Sequence, residues 1–228
     1  LKDIGEVSVV APDRDQSGVG TAMTLLEVVR ATEIRSRVEG VQAYSVQGTP
    51  ADCVILATET LFEDTFDLVA SGINQGSNLG LDVLSSGTVG AALHGYLRDI
   101  PSLAVSVASL TDVQYEAASR AARALARAVL NSPMPAMLLL NVNVPNVGPA
   151  GVAGVELTRL GPRAFLESVE RGYDGRRTHY WIKHNRPVTN PHPDGTDFGA
   201  LQNDRISITP LHGLLSGRDH AAELQDVV

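Results

Sequence analysis

The stretch at residues 71–89 reads SGINQGSNLGLDVLSSGTV. It follows a short apolar run at residues 67–70 that is typical of a strand, and it precedes apolar residues at helical spacing: Val89, Ala92, Leu93, Tyr96 and Leu97. The chain therefore passes from a strand through a polar, glycine-rich loop into a helix. In an open α/β sheet such a loop lies at the carboxyl end of a strand, where ligands bind.

The end of this loop has the composition of an anion-binding helix start. Ser86 or Thr88 can cap the helix, and Gly87 leaves room for an anion to approach the backbone. The first amides of a helix are unpaired donors at its positive dipole end. The alternative interpretation is a long turn with a capped helix and no ligand.

The composition limits the class of protein. The chain has 228 residues, enough for one α/β domain, with 43% hydrophobic and 19% charged residues. Its formal net charge of −8 argues against a broad basic surface for nucleic acid, although a single phosphorylated small molecule is allowed. Cys53 is the only cysteine, which favours a reducing compartment. No signal peptide or membrane-spanning run is found, so we expect a soluble, cytoplasmic protein.

Strand and helix patterns alternate through the first two thirds of the chain. Strand patterns occur at residues 6–12, 41–46, 67–70, 100–107 and 137–140. A helix is predicted at residues 50–61, with Thr49 as its cap, and an amphipathic helix between Tyr115 and Val129, with an arginine-rich face in solvent. This alternation predicts a parallel sheet with right-handed crossovers, covering residues 1–148.

The alternation of strand and helix patterns ends at about residue 149, so we expect a C-terminal extension at residues 149–228. It contains a strand at residues 155–160, an extended hairpin at residues 164–184, a strand at residues 206–211 and a closing helix or arm at residues 219–228. The hairpin carries Tyr173, Tyr180 and Trp181 but has little to bury by itself. Its aromatic residues suggest packing against another part of the chain or a second subunit.

Common catalytic templates are absent from the sequence, including the Gly-x-Ser-x-Gly elbow, the Walker loop and His-Glu-x-x-His. We interpret residues 190–197 as a surface turn rather than a calcium loop, and His94 as structural, while the role of His212 stays open. The remaining candidates are oxygen donors at strand ends: Ser17, Asn74, Asn78, Asp82 and Ser86. Such oxygens can complete the shell of Mg²⁺ or Mn²⁺, but one or two carboxylates normally anchor the ion.

Five motifs in order resemble the SurE family of metal-dependent 5'/3'-nucleotidases, also called survival proteins. They are the segments at residues 11–18 (APDRDQSG), 48–53 (GTPADC), 71–89, 140–145 (LNVNVP) and 206–211 (ISITPL). The resemblance implies a Rossmann-like core with helices on both faces of a mostly parallel sheet. It also implies a C-terminal β-hairpin and arm that form a homodimer or homotetramer.

The resemblance further implies hydrolysis of nucleoside 5'/3'-monophosphates, with looser action on other phosphoesters and polyphosphate. In the family one divalent cation, Mg²⁺ or Mn²⁺, is held by two aspartates of an Asn-Asp-Asp-Gly motif, a serine and an asparagine. The last two match Ser17 and Asn74. The substrate side would be formed by Asn74, Asn78, Ser86, Gly87 and Thr88.

No Asn-Asp-Asp-Gly motif occurs in these 228 residues. By this resemblance the family's first strand, its aspartate pair and most of its first helix would precede Leu1, and residues 1–5 would be the tail of that helix. We therefore expect a gap in the sheet, low stability and no phosphatase activity of the chain by itself. The alternatives are a catalytically inactive, nucleotide-binding oligomer and, more distantly, an α/β hydrolase with a serine nucleophile.

Overall fold

The structure is a computed structural model that describes residues 1–131, 137–163, 165–187 and 193–213. Its strands are β1 Ser8–Pro12, β2 Ala31–Ile34, β3 Gln42–Val46, β4 Val69–Gln75, β5 Ser102–Val107, β6 Leu139–Val144, β7 Gly154–Leu157, β8 Phe165–Tyr173, β9 Thr178–Pro187 and β10 Arg205–Pro210. Its α-helices are α1 Pro50–Leu56, α2 Gly87–Tyr96, α3 Tyr115–Asn131 and α4 Asp197–Gln202.

The predicted mostly parallel α/β architecture is confirmed, but its strands form two sheets. In the three-stranded sheet, β3 lies between β1, which is parallel to it, and β2, which is antiparallel. The five-stranded sheet has the order β4-β5-β6-β10-β7, with β4, β5 and β6 parallel and β10 antiparallel to β6. Among the described strands none pairs with the second edge of β1 or of β4, so each is an edge strand of its sheet.

The five-stranded sheet has helices on both faces. Leu103 of β5 packs in a cluster with Ala118 of α3, whereas the next residue, Ala104, packs in a cluster with Ala92 of α2. Successive residues of a strand point to opposite faces, so α2 and α3 cover opposite sides of the sheet. Every residue of β5 and β6 is consequently buried.

Two predicted helices are confirmed by their local signals. Thr49 caps α1 and forms a capping box with Asp52, and a π-helical turn at Ala57–Leu61 completes the predicted span. On α3 the pair of Glu116 and Arg120 is present at 2.7 Å. The predicted solvated arginine face is confirmed, since Arg123 and Arg127 are both about half exposed, and the structure adds that both pair with the exposed Asp3.

The N-terminal residues form a single turn, in which the Ile4 amide donates to the Leu1 carbonyl at 2.8 Å. The Gly5 amide also donates to the Leu1 carbonyl at 3.3 Å, so the turn covers the residues 1–5 for which a helix tail was predicted. In the described part of the chain, no helix is both long and apolar enough to cross a membrane.

The C-terminal extension contains the predicted hairpin, formed by β8 and β9. The prediction of a surface turn at residues 190–197 is wrong at its end, because Thr196 caps α4 and Asp197 is fully buried. Residues 190–192 and the predicted arm at residues 219–228 lie outside the described residues. The strand predicted at residues 155–160 is shorter, since β7 ends at Leu157.

Candidate functional site

The start of α2 is a capped helix N-terminus with two free donors. The Ser86 hydroxyl accepts a hydrogen bond from the Val89 amide at 3.2 Å, and the Ser86 carbonyl accepts from the Gly90 amide at 2.9 Å. Of the two predicted caps, Ser86 is therefore correct, and Thr88 lies in the first turn. The amides of Gly87 and Thr88 come before the first intrahelical hydrogen bond, so no carbonyl within α2 accepts from them, and donors of this kind are what an anion binds at a helix N-terminus.

Gly87 is enclosed by two other segments. A Cβ at this position would lie 3.1 Å from the Pro50 side chain, 3.2 Å from the Val19 side chain and 3.3 Å from the Gln16 carbonyl oxygen. The start of α1 and the loop after β1 therefore both pack against the first turn of α2. Since Ser17 directly follows Gln16, the fold brings this predicted residue to the same place.

The loop after β1 is fixed to α2 by close backbone contact. The Gly20 amide donates to the Ser85 carbonyl at 2.9 Å, and a Cβ on Gly90 would lie 2.2 Å from the Gly20 carbonyl oxygen. Gly20 has φ +58°, which glycine adopts without strain. His94 packs below this loop, where burial lowers the pKa of its imidazole, so the interpretation of His94 as structural agrees with its position.

Asp52 fixes the next part of the loop to α1. Its carboxylate accepts hydrogen bonds from the Thr24 amide at 2.9 Å, the Thr24 hydroxyl at 2.6 Å and the Thr49 amide at 2.8 Å. Burial by itself would raise the pKa of Asp52, but these hydrogen bonds hold that pKa below its usual value. The carboxylate is thus a structural acceptor at neutral pH.

Asn74 begins a row of polar residues that crosses the five-stranded sheet. Asn74 of β4 pairs with Ser106 of β5, Ser106 with Asn143 of β6, and Asn143 with Ser207 of β10. Residues paired in register share one face of a sheet. Ser106, Asn143 and Ser207 are fully buried, so this row forms a polar layer beneath the loop that follows β4.

Asn78 fastens that loop to the polar row. Its side-chain amide donates to the Ser106 hydroxyl at 2.7 Å, and its backbone amide donates to Asn143 Oδ1 at 2.8 Å. Its carbonyl accepts from the side chains of Asn141 at 2.8 Å and Asn143 at 3.0 Å. The structure therefore gives Asn78 an anchoring role that the sequence did not reveal.

The two predicted metal ligands do not by themselves fit a divalent cation. The Ser17 hydroxyl donates to Asp15 Oδ1 at 2.7 Å, which helps to hold the pKa of Asp15 below its usual value, and Asn74 Nδ2 donates to the Gly76 carbonyl at 2.7 Å. Asn74 Oδ1 stays available, but a hard cation normally needs carboxylate ligands. Within the described residues, no three His, Cys, Asp or Glu side chains are grouped as a metal site.

Sequence reasoning missed Asn141 and Asn143 as parts of the site, although a signal was present. Two asparagines separated by one residue in a buried apolar strand face the same side of the sheet. Buried amides require hydrogen-bond partners, and this pattern could have indicated that a loop folds over them. For Asp197, the only local signal was the Thr-Asp pair that starts α4.

The fold and the site define a doubly wound α/β protein with a candidate anion site at the carboxyl edge of its parallel strands. A family model described as survival protein SurE matches residues 1–167. The chain belongs to the SurE family.

Relatives and a solved structure agree with this assignment. The chain is 42% identical over 225 residues to the 5'-nucleotidase SurE of Moorella thermoacetica, covering 98% of this chain and 86% of the relative. It is 44% identical to the 5'-nucleotidase SurE of Geobacter sulfurreducens, covering 93% and 79%. The crystal structure of the SurE protein from Aquifex aeolicus matches with a TM-score of 0.81 and 37% identity, covering 100% of this chain and 90% of that one.

Proposed function

We propose that this chain is a nucleotidase that hydrolyses nucleoside 5'/3'-monophosphates, with looser action on other phosphoesters and polyphosphate. The observation that carries the proposal is the start of α2, where the amides of Gly87 and Thr88 have no acceptor within the helix and Gly87 packs against the loop that holds Ser17. The names of the curated relatives support the same class of reaction.

In this proposal a phosphate oxygen accepts hydrogen bonds from the Gly87 and Thr88 amides. Phosphoryl transfer to water spreads negative charge over the equatorial oxygens, and preorganised amides at a helix N-terminus stabilise that charge. Ser86 keeps these amides in place through its cap on Val89. Asn74 of β4 and Ser17 of the loop after β1 would orient the substrate with their side-chain oxygens.

Dependence on one divalent cation, Mg²⁺ or Mn²⁺, is part of the proposal as well. Ser17 and Asn74 would supply two neutral oxygens, and carboxylate ligands would have to complete the set. When bound, the ion would provide positive charge for the phosphate. The general base is not assigned to any described residue.

A second candidate function is nucleotide binding without hydrolysis. It is favoured by the same observation that opposes metal binding, namely that the described residues bring no cluster of carboxylates together. The two functions differ in one measurement, the release of inorganic phosphate from a nucleoside monophosphate that the protein binds.

The first experiment measures binding and hydrolysis of AMP by the wild type and by Gly87→Ala. The added Cβ meets three neighbours at 3.1 to 3.3 Å, so it should displace the surrounding segments and lower the affinity for AMP by about tenfold. Gly5→Ala is the control, because a Cβ there has nothing within 4 Å. Wild-type affinity in Gly87→Ala would contradict the anion site, while binding without phosphate release would favour the second function.

A second experiment tests Asn74. Asn74→Ala should abolish any Mn²⁺-stimulated release of phosphate from AMP, because it removes the free Oδ1 atom. Hydrolysis at the wild-type rate with Mn²⁺ would show that Asn74 is not a ligand.

We further propose a homodimer or homotetramer formed through the hairpin of β8 and β9. Val169 is 65% exposed, Tyr180 63% and Ile182 76%, and these three residues share one face of the hairpin, an apolar surface that a second subunit could cover. Light scattering should report a dimer or tetramer for the wild type and a smaller species for Ile182→Lys. A monomeric wild type would overturn this proposal. The cytoplasmic location stays a prediction.

A further inference from the structure

Asp197 joins three segments that are distant in sequence. Its Oδ2 atom accepts a hydrogen bond from the Gly80 amide at 2.7 Å. Its Oδ1 atom accepts from the Gly161 amide at 2.8 Å and from the Phe198 amide at 3.0 Å. The side chain is fully buried. Burial raises the pKa of the Asp197 carboxyl, and the hydrogen bonds from three backbone donors offset part of that cost.

The segment held through Gly80 leads directly to the anion site. Gly80 begins a 3₁₀ turn, Gly80–Leu84, and has φ +52°. A Cβ on Gly80 would lie 2.2 Å from the Pro162 carbonyl oxygen, so Gly80 is enclosed between Asp197 and the backbone at residues 161–162. Ser86, the cap of α2, follows this turn after one residue.

The same turn also supports the loop that carries Ser17. The Ser85 carbonyl accepts a hydrogen bond from the Gly20 amide at 2.9 Å, and a Cβ on Gly20 would lie 2.7 Å from the Leu84 carbonyl oxygen. A displacement of the turn would therefore move both Ser86 and the loop after β1.

A second contact ties this turn to the C-terminal extension. Arg163 Nε lies 3.6 Å from Asp82 Oδ1, within the turn. The Asp82 side chain is only 12% exposed, while that of Arg163 is 40% exposed. Residues 161–163 thus contact the turn at two places, through backbone carbonyl oxygens at Gly80 and through the Arg163 side chain at Asp82.

We propose that Asp197 is a positioning residue for the nucleotidase site, acting through Gly80 and the 3₁₀ turn on the start of α2 and on the loop of Ser17. The inference rests on the proposed function for its consequence in binding, but its geometric part can be measured without it.

The variant Asp197→Asn distinguishes a positioning role through Gly80 from a local role in stabilising α4. The Asn oxygen can still accept from Gly161 and Phe198, whereas its NH₂ group would face the Gly80 amide, and two donors cannot bond to each other. The substitution therefore releases Gly80 but keeps the contacts that stabilise α4. Asp194→Asn is the matched control, since Asp194 is an exposed aspartate on the same segment.

The experiment records backbone amide NMR spectra and the affinity for inorganic phosphate of the full chain, as wild type, Asp197→Asn, Asp197→Ala and Asp194→Asn. In Asp197→Asn we expect the amide signals of Gly20, Ser86 and Gly87 to shift and the phosphate affinity to fall about tenfold. Asp197→Ala should lose at least as much, and Asp194→Asn should match the wild type.

Shifts confined to Gly80, Gly161 and Phe198, with wild-type phosphate affinity, would overturn the proposal. If the wild type binds neither phosphate nor AMP, the proposed function fails, and the signals of Gly20 and Ser86 alone decide the positioning role. If Asp197→Asn does not fold, Arg163→Gln replaces it, because Arg163 is half exposed. It should shift the Ser86 signal and lower affinity about threefold, and an unchanged Ser86 signal would then overturn the proposal.

Discussion

The two sheets of this molecule differ in how they are covered. In the five-stranded sheet, every residue of β5 and β6 is buried, because α2 and α3 lie on opposite faces. In the three-stranded sheet, β1 alternates between half-buried and exposed residues, and all four residues of β2 are exposed. One sheet is a closed core, and the other depends on α1 and the loop at residues 13–24 to hold it against α2.

The candidate site lies where the loop after β1, from the three-stranded sheet, contacts the start of α2, which packs on the five-stranded sheet. Ser86, Gly87 and Asn74 come from the five-stranded side, and Ser17 comes from the loop after β1 on the other side. A site divided in this way requires that the weaker sheet keep its position relative to the stronger one. Four measurements can break or sharpen this comparison.

The largest difference should appear between two valine substitutions. Val142→Ala in β6 removes a fully buried side chain and should lower the free energy of unfolding by about 2 kcal/mol. Val9→Ala in β1, where the side chain is 43% exposed, should cost less than about 1 kcal/mol. Urea denaturation followed by far-ultraviolet circular dichroism measures both. Equal losses would show that the three-stranded sheet is packed as tightly as the other.

Asp52→Asn should lower the free energy of unfolding by about 1 to 3 kcal/mol at neutral pH, since it leaves a buried donor unsatisfied. The folded-state pKa of Asp52 is lowered, so its stabilisation is present above the unfolded-state pKa and is lost as the pH falls through the folded-state value. The difference between wild type and Asp52→Asn should therefore shrink below about pH 4.

The exposed Asp64→Asn serves as the control for Asp52→Asn in the same denaturation series. A difference that does not change with pH would mean that Asp52 stabilises the loop by its shape and not by its charge.

The reactivity of Cys53, which lies in α1, can show whether the three-stranded sheet opens without the five-stranded sheet. Burial raises the pKa of its thiol to about 12, so the native thiol should react with a disulfide reagent at pH 8 at least about 100-fold more slowly than in the unfolded chain. If this sheet opens locally, labelling will be faster than global unfolding allows. Protection equal to the global free energy of unfolding would mean that the two sheets unfold together.

The smallest effect should come from the surface of α3. Glu116→Gln removes an exposed pair with Arg120 and should change the free energy of unfolding by about 0.3 kcal/mol. The same denaturation curves measure it. A loss above about 1 kcal/mol would show that surface charge, and not burial, stabilises the five-stranded sheet.

The elements with strong local signals were predictable from the sequence. The start of α1 was predicted from Thr49, Pro50 and Asp52. The apolar stripe between Tyr115 and Val129 predicted most of α3, which ends at Asn131. At the site, the loop composition predicted a helix cap at Ser86 or Thr88, and Ser86 is the cap. These features depend on residues within one or two turns of each other.

The contacts that hold the site loop could not be predicted in the same way. The hydrogen bond between Gly80 and Asp197 spans 117 positions, and the row from Asn74 to Ser207 exists only once the register of four strands is known. A single sequence does not show which distant residues will be in contact. Asp197 was therefore interpreted as part of a surface turn. The separation of the strands into two sheets had no local signal in the sequence, and only the family resemblance led us to expect a gap in the sheet.

The hairpin of β8 and β9 has a consequence for spectroscopy. Trp181 is the only tryptophan in the chain, and it is 61% exposed on that hairpin, whose two strands pair with each other and with neither of the two sheets. Tryptophan emission will therefore be that of a solvated indole, open to collisional quenching by iodide, and largely silent when either sheet unfolds. It will instead become bluer and less quenchable when another surface covers the hairpin, so the chain carries a built-in optical probe of association.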